Sequence, residues 1–95
     1  MTREQKSTVQ VYSIDYCPFC IRAKALLTEL GIEFEEINIS DDPKRRAVTE
    51  AILPGHRTAP LVLIDGKPIG GQQDLEAMHA RGELEAQVFG APLDT

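Results

Sequence analysis

Short apolar stretches alternate with amphipathic ones along this chain. Thr8 to Ile14 (TVQVYSI) is rich in β-formers and predicts a strand. From Ile21 to Leu30, Ala23, Leu26, Leu27 and Leu30 recur at helical spacing, and Gly31 supplies a stop. Phe34 to Ile39 alternates as a second strand would. Asp41 or Asp42 can cap a second helix, Pro43 fits its first turn, and Val48, Ala51 and Ile52 supply its inner face. Pro54-Gly55 ends it. Leu61 to Ile64 is a short continuous apolar run, the mark of a central strand. Asp65-Gly66 is a hairpin signal, with Lys67 to Ile69 as the returning edge strand. Gly70-Gly71 then breaks the chain. Leu75 and Met78 share one face of a third helix over Asp74 to Arg81, and Leu84 and Val88 fit a short last helix.

The predicted order is therefore β-α-β-α-β-β-α. The opening β-α-β unit implies a right-handed crossover and a parallel pair, and the Asp-Gly hairpin implies an antiparallel one. A four-stranded mixed sheet flanked by helices, of α/β class, accounts for both. A length of 95 residues leaves room for one domain, read as residues 8–89, with 1–7 and 90–95 as flexible termini.

Charge narrows the function. A formal net charge of −5 excludes a broadly basic nucleic-acid surface. The stretch 43–57 is locally the reverse, with Lys44, Arg45, Arg46 and Arg57 against Glu50 alone, so a small acidic ligand can be met there. No apolar run approaches bilayer length, and no apolar segment follows Met1 to Lys6 as in a signal peptide. The expectation is a cytoplasmic monomer with no membrane or nucleic-acid partner.

The only two cysteines, Cys17 and Cys20, lie in Tyr16-Cys17-Pro18-Phe19-Cys20, where the first strand meets the first helix. The first amides of a helix lack intrahelical partners, and the macrodipole adds partial positive charge there. A sulfur at that end is stabilised as thiolate, which lowers its pKa from ~8.5. Pro18 suits the first turn because its missing N–H would have had no partner. The spacing puts both side chains on one helical face, about 5–6 Å apart at Cβ, within reach of a disulfide. Cys17 is the sulfur offered to substrate, and Cys20 sits a turn inside. The bland readings are half a zinc site and a pair of buried thiols. Zinc needs four ligands, and neither His56 nor His79 has finger-like spacing to the cysteines. No metal site is expected.

At this point residues 8–89 resemble a glutaredoxin of the dithiol CPFC type, within the thioredoxin-fold superfamily. Cys17-Pro18-Phe19-Cys20 is similar to the family's C-P-[YF]-C site, Thr58-Ala59-Pro60 to its T-V-P segment, and Gly70-Gly71-Gln72-Gln73-Asp74-Leu75 to its G-G-x-x-D-L segment. The resemblance implies a thioredoxin-like fold and a cis Ala59–Pro60 bond. It implies catalytic Cys17 and Cys20, and glutathione bound by Tyr16, Thr58, Ala59, Pro60, Gly71, Gln73 and Asp74. Asp74 would meet the glutathione ammonium, although it would also serve as an ordinary cap of the third helix. The chain departs from the family at Ile14, where a lysine is frequent, and at Ala59, where valine is usual. The ungapped match to a carboxylate-binding residue of the second helix falls on Ala47, so Arg46 or Arg45 is a contact only after a shift of one residue.

The implied activity is glutathione-dependent thiol–disulfide exchange on protein–glutathione mixed disulfides and protein disulfides. Glutathione is then a co-substrate and no tightly bound cofactor is expected. Two alternatives stay open: a redoxin reduced by a flavoprotein reductase, and a carrier of a [2Fe–2S] cluster ligated by Cys17 and glutathione.

Overall fold

A computed structural model describes residues 4–90. The strands are β1 (Val9–Ser13), β2 (Glu35–Asn38), β3 (Leu61–Ile64) and β4 (Lys67–Gly70). The helices are α1 (Pro18–Glu29), α2 (Arg45–Ile52), α3 (Gln72–Ala80) and α4 (Glu83–Phe89). The sheet order is β2-β1-β3-β4, with β1–β2 parallel and the other two pairs antiparallel. The mixed, helix-flanked sheet is therefore as the sequence implies.

Register follows from burial. Val11 pairs with Val62 and Val9 with Ile64, so these four side chains share one sheet face. They meet Ala23 and Leu27 of α1, Leu75 and Met78 of α3, and Leu84 and Val88 of α4 in a single core. Leu61 and Leu63 alternate to the other face and are also buried, which is why β3 reads as an unbroken apolar run. Fully buried leucines such as Leu27, Leu75 and Leu84 each contribute on the order of 2 kcal/mol. Among the described residues no helix is long and apolar enough to cross a membrane.

Three local expectations change. The second helix begins at Arg45, with Lys44 at the N-cap. The Asp42 carboxylate instead accepts the Lys44 N–H at 2.8 Å, and the Asp42 carbonyl accepts the Arg45 N–H, so Asp42 and Pro43 form a turn ahead of the helix. The inner face of α2 is Thr49, flanked by half-buried Val48 and Ile52, and Ala51 is exposed. Residues 5–7 are tied down. The Gln5 side chain bonds both to the Glu33 carbonyl and to its N–H at 2.7 Å, and the Lys6 N–H reaches the Val88 carbonyl at 2.7 Å. Of the expected loose ends, 1–7 and 90–95, residues 1–3 and 91–95 lie outside the described residues.

Candidate active site

β1 ends at Ser13 and the chain turns through Tyr16, whose φ of +55° is the left-handed region that non-glycine residues rarely enter. That turn delivers Cys17 to the N-cap of α1 in extended conformation, and Pro18 opens the helix. Cys17 and Cys20 are joined as a disulfide with Cα atoms 5.2 Å apart. The Cys20 N–H points at Cys17 Sγ from 3.1 Å. An orphan amide of the first turn thus faces the outer sulfur, the arrangement that favours its anion once reduced. Cys17 is 7% exposed and Cys20 fully buried. The outer sulfur is therefore less open than the sequence suggests, although the order of access holds. Around it, Tyr16, Phe19 and Ile21 stand in solvent.

The second component is the loop before β3. The Ala59–Pro60 peptide is cis, and the Ala59 carbonyl oxygen lies 3.8 Å from Cys17 Sγ. Two cavities of about 250 Å³ each flank this loop. Phe19, Thr58 and Ala59 line both, so they read as two halves of one groove beside the disulfide. One half is bordered by Ile14, Ile39, Thr49, Arg45, Arg46 and Arg57. The other is bordered by His56, Pro60 and Gly71 to Asp74.

The start of α3 closes that second half. The Asp74 carboxylate accepts the Gly71 N–H at 2.9 Å, so Asp74 sits in the first turn and Gly71 is the N-cap. Gly70 has φ +128°, and a Cβ there would strike the Asp74 carboxylate. At Gly71 a Cβ would press His56 at 3.3 Å and the Pro60 carbonyl at 3.5 Å. Two glycines are thus what let α3 begin against the Pro60 loop.

Thr58, Ala59, Pro60, Gly71, Gln73 and Asp74 are brought together along one half-groove, and Arg46 borders the other. Tyr16 borders neither and is fully exposed. His56 has its Nε2 3.0 Å from the Pro60 carbonyl, a contact that ties the loop to itself beside Gly71. Nothing in the local sequence pattern signals that bond. Among the described residues no group of three or more His, Cys, Asp or Glu side chains is placed to hold a metal ion.

A dithiol at a helix tip, with the Ala59 carbonyl 3.8 Å from its outer sulfur and Ala59 lining the groove, suits disulfide exchange with an extended thiol compound. Comparison with known proteins bears on the same chemistry. The Glutaredoxin family model matches residues 9–69. Glutaredoxin 3 of Escherichia coli K12 is 40% identical over 81 residues, spanning 83% of this chain and 94% of that protein. A probable glutaredoxin of Synechocystis is 39% identical over 80 residues, spanning 84% of this chain and 73% of that one. The crystal structure of a buckwheat glutaredoxin–glutathione complex superposes with a TM-score of 0.77 at 33% identity, covering 86% of this chain and 76% of that chain. The solution structure of glutaredoxin from Brucella melitensis does so with a TM-score of 0.77 at 37% identity, covering 92% and 94%. The chain belongs to the glutaredoxin family, and its Cys17–Cys20 pair makes it a thiol–disulfide oxidoreductase.

Proposed function

We propose that this protein is a cytoplasmic, monomeric, glutathione-dependent reductase of protein–glutathione mixed disulfides and of protein disulfides. The observation that carries this reading is the groove: Cys17 Sγ beside the Ala59 carbonyl, with Asp74 on one side and Arg46 on the other. Glutathione is an extended peptide with an ammonium and a carboxylate at its γ-glutamyl end and a second carboxylate at its glycine end. Its cysteine backbone would pair with Ala59 as a short strand does. Asp74, with the Gln73 backbone, would take the γ-glutamyl end, and Arg46 the glycine carboxylate. The buckwheat relative, crystallised as a glutathione complex, supports the same ligand.

The chemistry follows from thiolate attack. Reduced Cys17 attacks the glutathione sulfur of a mixed disulfide, forms a Cys17–glutathione disulfide, and expels the protein thiolate, which takes a proton from water. A second glutathione thiolate attacks the glutathione sulfur of that adduct, releasing glutathione disulfide and restoring the Cys17 thiolate. With a protein disulfide, Cys17 forms a mixed disulfide with one protein sulfur. Cys20 then attacks Cys17 Sγ, frees that sulfur, and leaves Cys17–Cys20 oxidised; two glutathiones reduce it. The helix tip ionises Cys17, so no side-chain base is required.

The test is a coupled assay with a glutathionylated peptide, NADPH, glutathione and glutathione reductase. Turnover is expected for the wild type and for Cys20→Ser, and none for Cys17→Ser. Turnover that requires thioredoxin reductase in place of glutathione would overturn the reading.

A further inference from the structure

The two halves of the groove carry opposite charge, and one carries more than glutathione can use. Arg45, Arg46 and Arg57 border the half-groove toward α2, and no carboxylate borders it. Among the described residues Arg45 and Arg46 have no acidic partner, and Arg57 has a loose, exposed one, with its Nε 3.7 Å from Glu50 Oε1. This surplus stands out on a chain whose net charge is −5. The glycine end of glutathione brings one carboxylate, which Arg46 would neutralise. Arg45 is then left with no counter-charge from either the protein or the co-substrate, and Arg57 with only its loose, exposed contact to Glu50. Apolar Ile14 and Ile39 and the neutral Thr49 and Thr58 border the same half-groove, so nothing else in its lining carries charge.

We propose that Arg45 and Arg57 select the protein substrate: this protein acts preferentially on disulfides whose reactive cysteine is flanked by Asp or Glu. The proposal rests on the glutathione reading above and names a substrate class for that same site. Acidic flanks would be drawn to the α2 rim while the substrate sulfur approaches Cys17. Both arginines are exposed, so the attraction acts mainly on encounter and is screened by salt.

The experiment uses three glutathionylated peptides of one length, identical except for Glu, Gln or Lys on both sides of the cysteine. At low ionic strength kcat/KM is expected to run Glu, then Gln, then Lys, with about fivefold between the first two. Near 0.5 M sodium chloride, about where the Debye length falls to a few ångströms, the Glu-to-Gln ratio is expected to fall below twofold. In the double variant Arg45→Gln/Arg57→Gln that ratio is expected near one at low salt. Equal rates on all three peptides in the wild type, or a ratio the variant leaves intact, would overturn the proposal while leaving the glutathione reading standing. Absence of glutathione-driven turnover on every peptide would overturn both. The charge series and its salt dependence in the wild type stand without the variant.

Discussion

The two walls of the groove are built in opposite ways. On one side α3 buries Gln72, Leu75 and Met78, and its first turn is locked by Asp74 onto the Gly71 amide. On the other, α2 has Thr49 as its buried residue, no side-chain cap and no acidic residue in its first turn. The difference matches what each wall presents. The α3 wall offers backbone and a short carboxylate, which have no reach of their own and must be held in place. The α2 wall offers arginines, whose long stems adjust, so a lightly anchored helix suffices.

Stability should separate the walls most sharply. Leu75→Ala is expected to cost about 3 kcal/mol and the half-buried Val48→Ala about 1 kcal/mol, read as the difference between their urea unfolding free energies. Equal losses would dissolve the contrast. Ligand affinity is the next measure. Asp74→Ala removes a charge and also the bond that holds Gly71, so KM for glutathione should rise about tenfold and stay raised in high salt. Arg46→Gln should raise it about threefold at low ionic strength and less than twofold in high salt. If the two variants share one salt dependence, the rigid and adaptable walls are not distinct.

The smallest effect lies away from both walls and serves as a control. The Glu36 carboxyl is held below its ordinary value of 4.5, chiefly by the hydrogen bond from Lys24 and then by that from Ser13. Because the folded value is depressed, the stabilisation is complete above 4.5 and is lost as pH falls through the folded value. Glu36→Gln should shrink this acid-side loss by about 0.5 kcal/mol and leave KM for glutathione unchanged.

Much of the frame is legible from residue pattern alone. The apolar run Leu61 to Ile64 marks the doubly covered strand, Asp65-Gly66 its hairpin, and Pro18 the first turn beside the cysteines. Leu84 and Val88 correctly mark a last helix, although the core they share with α1 and α3 is not visible in their spacing. Local side-chain chemistry defeats the pattern at α2. Asp42 spends its carboxylate on the Lys44 amide, which moves the start, and a buried Thr49 replaces the expected apolar Ala51 on the inner face. The Gln5–Glu33 and His56–Pro60 bonds are polar contacts that no hydrophobic period encodes. The site motifs announce which residues gather. They do not announce that Asp74 reaches back to Gly71, or that Tyr16 stands clear of the groove.

The account turns on the outer sulfur being an anion near neutral pH. Ultraviolet thiolate absorbance of the fully reduced protein, followed against pH in the wild type, Cys17→Ser and Cys20→Ser, tests this directly. A transition well below the free-thiol value of ~8.5, retained in Cys20→Ser and absent from Cys17→Ser, is the predicted result. A Cys17 midpoint at or above that of a free thiol would contradict it.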